Sequence, residues 1–280
     1  MRILTLALLA AGLAAAAASA QTPVERGRYL VETIAGCGNC HTPQGPGGPL
    51  AGMTLAGGNT IVDSPKFTAI ASNITPDRET GIGTWTDDQI ALAIREGKRP
   101  NGALIGPPMP IGLYRGLADA DVRAMVAYLR TVAPVRNPVA KSVYRIPLPP
   151  AYGPPVGVVN APLKGNKVAY GAYLAGPVGH CIECHTPMLE GGHSDEKRIG
   201  AGGMAFPGPW GTSVAANITS SKTRGLGVWT DTQIERAIRA GVSADGRKLF
   251  PPMGFAYYRG IAPDDMAALI AYLRTLPAID

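Results

Sequence analysis

Two pentapeptides hold every cysteine of the chain, Cys37-Gly-Asn-Cys40-His41 and Cys181-Ile-Glu-Cys184-His185. Two thiols spaced three residues apart reach the two vinyl groups of one porphyrin and form thioethers. The next residue, histidine, then lies under the iron as an axial ligand. Cys-x-x-Cys-His is the attachment sequence of c-type haem. Other uses of these cysteines fit less well. Four cysteines in an exported chain could form two disulfides, paired Cys-x-x-Cys could ligate zinc, and a lone Cys-x-x-Cys could be a thiol redox centre. None of these requires histidine directly after the second cysteine, and here it stands there twice. The sequence predicts two covalent haems c, one on Cys37, Cys40 and His41, the other on Cys181, Cys184 and His185.

Each iron then has one axial position left, for His, Met or nothing. The first half has no histidine besides His41. Met109 and Met253 stand at the same distance behind His41 and His185, and each follows Pro-Pro. Two prolines stiffen the loop and present the thioether at a fixed height. Met109 and Met253 are therefore the expected distal ligands, a pairing that favours ferrous iron relative to two histidines. Met125 and Met266 read instead as packing residues on helical stripes, and Met53, Met188 and Met204 have no counterpart in the other half. His180 and His193 read as polar loop residues, with a haem propionate contact the further option for His180. Asn73-Ile-Thr75 and Asn217-Ile-Thr219 match the glycosylation acceptor, but their repetition points to structure. These asparagines, or the indoles of Trp85 and Trp229, are candidates to hold propionates, with plain packing the alternative for the indoles.

An offset of 144 residues, the separation of Cys37 and Cys181, lays one half on the other without a gap. Gly27, Tyr29 and Leu30 meet Gly171, Tyr173 and Leu174. Trp85 meets Trp229, and Tyr128-Leu129-Arg130 meets Tyr272-Leu273-Arg274. The period is too long and the copies too few for a solenoid, so this is a duplicated domain. The reading is a leader at 1–20, a first domain at 21–136, a Pro-rich linker at 137–163 and a second domain at 164–280. The linker should be extended and stiff, and its Val, Ile and Leu suit it to drape over the domains. Each copy shows three helices. One runs from Val24 to Ile34 into the haem motif. One starts at the capping box Thr86-Asp-Asp-Gln89 and stops at Gly97, repeated at Thr230, Gln233 and Gly241. One starts near Asp119, with Val122, Met125, Val126 and Leu129 on a single face. No strand pattern of comparable strength appears, so the expected fold class is all-α.

Arg2 followed by the apolar run Ile3–Ala18 and the small residues Ala18-Ser19-Ala20 reads as a secretory signal cleaved before Gln21, which places the protein in the periplasm. No later run is long enough to span a bilayer. Gly (36) and Pro (26) are abundant and favour loop-rich domains. The net charge is +6, but no block of consecutive Lys/Arg appears, so nucleic acid is not an expected partner.

These residues resemble the dihaem class I cytochromes c, and more narrowly the cytochrome c subunits of periplasmic dehydrogenases acting on alcohols, gluconate or aldehydes. The resemblance rests on Cys40–Pro43 and Cys184–Pro187, on Asn73–Asp77, Gly81–Ile90 and Pro107–Pro110, and on Ala127–Arg130 and Ala271–Arg274. It implies two tandem class I cytochrome c domains, with Met109 and Met253 distal to His41 and His185. Those subunits usually carry three such domains and a membrane-associating segment, and this sequence shows two copies. Haem binding is thus implied, while membrane docking and quinone reduction are not. The function expected is single-electron transfer without an enzymatic activity, from a periplasmic dehydrogenase to a cytochrome or terminal oxidase. A dihaem peroxidase or a thiosulfate-oxidising cytochrome is the alternative, and would need an open or displaceable distal position.

Overall fold

A computed structural model describes residues 21–190 and 194–280. The leader reading and His193 lie outside the described residues. The first half begins with α1 (Pro23–Tyr29), which continues as a π-helical turn (Leu30–Ile34). The haem motif follows as the one-turn helix α2 (Gly38–His41). Then come the short strands β1 (Gln44–Gly45), β2 (Gly48–Pro49), β3 (Thr60–Asp63) and β4 (Phe67–Ile70), and the helices α3 (Asp87–Glu96), α4 (Ile111–Tyr114) and α5 (Asp119–Leu129). The linker carries β5 (Val143–Tyr144). The second half repeats the plan with α6 (Lys167–Tyr173) and its π turn (Leu174–Val178), α7 (Cys181–Cys184), β6 (Ala205–Gly208), β7 (Gly211–Val214), α8 (Asp231–Ala240), α9 (Phe255–Tyr258) and α10 (Pro263–Leu273).

Local chemistry explains the helix ends. Thr86 Oγ1 accepts from Gln89 N while Gln89 Oε1 accepts from Thr86 N, and Gly97 closes α3 in the left-handed conformation; Thr230, Gln233 and Gly241 do the same for α8. Helix α1 has a third capping box, Thr22 with Glu25, and α6 is capped by Asn166. Helix α1 crosses α5, and α6 crosses α10, at a glycine. A Cβ on Gly27 would lie 1.8 Å from Ala124 O, and one on Gly171 1.9 Å from Ala268 O, so the backbones touch at both crossings. Around them lie the buried side chains Leu30, Val31, Ile34, Val122, Met125 and Val126, and in the second half Leu174, Val178, Met266, Leu269 and Ile270. Met125 and Met266 are thus core residues.

The all-α expectation needs correction. Among the described residues there are three small antiparallel sheets: β1–β2, the three-stranded β3–β4–β5, and β6–β7. Their strands are two to four residues long, too short for an alternating pattern to register over glycine-rich sequence. The linker supplies β5, pairing Tyr144 with Phe67. It then lies along the first half: Tyr144 Oη donates to Pro107 O (2.9 Å), Tyr152 Oη to Ile105 O (2.8 Å), and Asp119 N to Val159 O (2.9 Å).

The halves meet through a nearly two-fold contact. Tyr29 Oη donates to Asp265 (2.8 Å) and accepts from Ala262 N (3.1 Å). Its counterpart Tyr173 Oη donates to Asp121 (2.7 Å) and accepts from Ala118 N (3.1 Å). Thr33 packs on Gly260 as Pro177 packs on Gly116. Asp265 is 1% exposed, and its oxygens are met by the Tyr29 and Tyr170 hydroxyls and by Lys164 Nζ at 3.4 Å. Asp121 is held by both ends of the Arg26 guanidinium, at 2.8 and 2.9 Å.

Candidate haem sites

In each half the cysteine pair sits on a single helical turn that a glycine-rich loop wraps from behind. Gly57 N donates to His41 O and Gly202 N to His185 O, both at 2.7 Å. Both glycines have φ of 73°, and a Cβ on either would meet the following backbone at about 2.5 Å. Only glycine lets these loops run against residues 71–73 and 215–216. That contact places a backbone carbonyl behind each histidine. His41 Nδ1 lies 2.7 Å from Ser72 O, and His185 Nδ1 lies 2.7 Å from Ala216 O. A carbonyl only accepts, so Nδ1 carries the proton and Nε2 keeps a free lone pair. Burial pushes both imidazoles below their usual pKa, which keeps them neutral, the form that binds iron.

All four thiols are free. Burial pushes Cys37 up to about 12 and Cys40 up to about 11. It pushes Cys181 up to about 11 and Cys184 up to about 12. A thiol redox centre needs the opposite shift, and among the described residues no group of three or more His, Cys, Asp or Glu converges as a metal site. Paired neutral thiols next to an imidazole with its Nε2 free fit covalent haem, and do not fit the zinc or redox readings. The two motifs are neighbours across the contact between the halves. The Glu183 carboxylate adds to the upward push on both Cys40 and Cys184, and Cys40 itself acts on Cys184.

Met109 and Met253 each begin the turn into a short helix, Met109 O accepting from Ile111 N (2.8 Å) and Met253 O from Phe255 N (3.0 Å). Both side chains are half-buried, and Met109 packs against the core. The prolines before each methionine are joined by a cis peptide bond. Asn73 and Asn217 have other work. Asn73 Oδ1 accepts from Thr75 N and Oγ1, and its Nδ2 donates to Thr80 and to Val135 O. Asn217 repeats this with Thr219 and Ile279 O. They tie the loop to the segment after the last helix, so the repeated Asn-Ile-Thr is structural. Trp85 and Trp229 are half-buried against the core, and their carbonyls, not their indoles, are gripped, by Arg130 and Arg274. His180 stands where the first half has Gly36, in left-handed backbone with φ of 40°. Its Nδ1 lies 3.3 Å from Glu183, and its ring meets Tyr114 edge-on across the contact.

A cytochrome c family model matches residues 24–133 and 166–277. The chain belongs to the cytochrome c family. The two cytochrome domains are therefore in tandem, with the Pro-rich linker between the matches. Membership implies covalently bound haem c. Among relatives, the fructose dehydrogenase cytochrome subunit of Gluconobacter japonicus is 34% identical over 278 residues, covering 93% of this chain and 54% of that one. The cytochrome c subunit of the quinone alcohol dehydrogenase of Gluconobacter oxydans is 33% identical, covering 91% of this chain and 55% of that one. A dihaem cytochrome c-type protein of Cereibacter sphaeroides is 29% identical, covering 88% of this chain and 83% of that one. The chain thus spans just over half the length of the two dehydrogenase subunits. Sequence reasoning missed the carbonyls of Ser72 and Ala216, because a backbone acceptor leaves no side-chain signal. Gly57 and Gly202 are offset by 145 residues and not 144, so even the recurrence of these glycines is displaced by one position.

Proposed function

We propose that this cytochrome is an exported carrier of two haems that takes single electrons from a dehydrogenase and passes them to a downstream cytochrome or terminal oxidase. Haem c, when bound, supplies the one-electron iron couple; the protein supplies ligands, burial and orientation. Cys37, Cys40 and His41 would hold one haem and Cys181, Cys184 and His185 the other, with Met109 and Met253 filling the distal positions. The observation that carries this reading is the duplicated locking of a neutral imidazole by a backbone carbonyl, at 2.7 Å in each half. A ligand fixed by main chain changes position little between oxidation states, which suits a carrier. The same Pro-Pro-Met in both halves fills both distal positions, which argues for transfer over peroxidase chemistry. The names of the dehydrogenase cytochrome subunits support a dehydrogenase as donor. Among the described residues no helix is long and apolar enough to cross a membrane. The periplasmic site rests on residues 1–20.

Intact mass and a reduced-minus-oxidised spectrum test the reading. The protein should carry two covalent haems, and Met109→Ala and Met253→Ala should each remove about half of the thioether–ferric charge-transfer band. A mass equal to the bare polypeptide, an unchanged band in both variants, or rapid cyanide binding by the native ferric protein would refute it.

A further inference from the structure

The carbonyl that holds each axial histidine recurs under the 144-residue offset, but the groups behind that carbonyl differ. Arg99 Nη2 donates to Ser72 Oγ (3.1 Å), and Ser72 is the residue whose carbonyl holds His41. The positions equivalent to Arg99 and Ser72 are Ser243 and Ala216, so the second half has neither the cation nor its hydroxyl acceptor. Arg99 is half-buried, and no carboxylate lies within ion-pair distance of it among the described residues. Burial draws its pKa down, with the Tyr144 hydroxyl from the linker acting against that. Through Ser72 its charge stands one residue behind the imidazole of His41, and His185 has no such cation behind Ala216. In the second half Ser243 closes on itself, bonded to Asp245 and to Arg247 O. Arg236 reaches that turn, but it is exposed and screened by water.

A cation in a poorly solvated place favours whichever neighbouring redox state carries one electron more. Taking the two-haem reading as given, we infer that Arg99 is a positioning charge that raises the reduction potential of the haem held by His41 above that of the haem held by His185. Electrons arriving at either haem would then come to rest on the first.

The test is a spectroelectrochemical titration of the haem-loaded protein. Replacing Met253 or Met109 by His gives the altered haem two histidine ligands and moves its wave away, so that the other can be followed alone. Arg99→Gln should lower the wave of the first haem in the Met253→His background and leave the second haem's wave in place in the Met109→His background. Arg99→Met should behave as Arg99→Gln does, and Arg99→Lys should largely restore the wild-type value. The thioether–ferric band of the retained methionine should persist throughout, separating an electrostatic effect from loss of a ligand. An unmoved first wave, or equal shifts of both waves, would overturn the assignment of Arg99 while leaving two-haem electron transfer standing. A wild-type protein with one haem by mass would overturn both.

Discussion

Replacing Gly27 by Ala tests whether the helix crossing behind the first haem motif is as close as described. The new Cβ would sit 1.8 Å from Ala124 O, 2.5 Å from Ala124 C and 2.8 Å from Tyr128 Cβ, all under the 3.0 Å that real Cβ atoms essentially never go below. The atoms it meets include the α5 backbone, so no side-chain rotation relieves the clash. Helix α1 must move away from α5 by about 1 Å, and a gap of that size forfeits about a quarter to a half of each dispersion contact. Overpacking of this kind costs about 3 kcal/mol, while Ala in place of Gly returns about 1 kcal/mol of helix propensity. A net loss of about 2 kcal/mol corresponds to a fall in Tm of about 8–16 °C for a domain near 100 residues. Gly171→Ala should match it, and Gly112→Ala, whose Cβ would meet nothing within 4 Å, is the control that should leave Tm unchanged or slightly raised. Thermal melts of the haem-loaded protein by circular dichroism measure all three. A Gly27→Ala protein melting with the wild type would refute the close-contact geometry.

Removing the Tyr29 and Tyr173 hydroxyls together (Tyr29→Phe, Tyr173→Phe) takes a donor from two buried carboxylates and an acceptor from two amides. At about 1.5–3 kcal/mol for each bond to a charged group, the halves should loosen. Amide exchange at Ala118 and Ala262 should speed up, and small-angle scattering should show a larger radius of gyration; unchanged exchange would count against the contact. The third prediction concerns acid. The Arg95 guanidinium, 2.5 Å away, holds the Asp119 carboxyl below the usual carboxylate range. A depressed native pKa gives stability that is present above the unfolded value, about pH 3.9, and is lost as pH falls through the native one. Denaturant midpoints should therefore drop on acidification below about pH 4, and Asp119→Asn should flatten that dependence. An equal slope in the variant would contradict the pairing.

Much of this was legible in the residues. The capping boxes at Thr86 and Thr230 predicted the starts of α3 and α8 to the residue, because a hydroxyl and an amide three apart satisfy each other's backbone locally. The apolar stripe of α5 was equally readable, and Gly27 and Gly171 stood out only as repeats. The first helix was expected to run unbroken to Ile34, and it widens into a π turn after Tyr29, which periodicity does not resolve. The strands escaped because each is set by a partner distant in sequence. Phe67 becomes a strand residue in part because Tyr144 arrives from the linker. The asparagines were assigned two possible roles, and the structure shows their amides already committed to the chain. The contact between the halves had no sequence signature beyond the recurrence of Tyr29 at Tyr173, since a tyrosine aimed at a neighbouring domain looks the same as one aimed at its own.

That contact has an evolutionary consequence. Because each half offers the other the same tyrosine and the same aspartate, the surface is self-complementary. One half on its own would present a second copy of itself with the face that it needs. Joining two genes head to tail then made the partnership permanent and independent of concentration. It also frees the twins from identity: once one polypeptide encodes both, a difference such as arginine at 99 against serine at 243 belongs to one member alone.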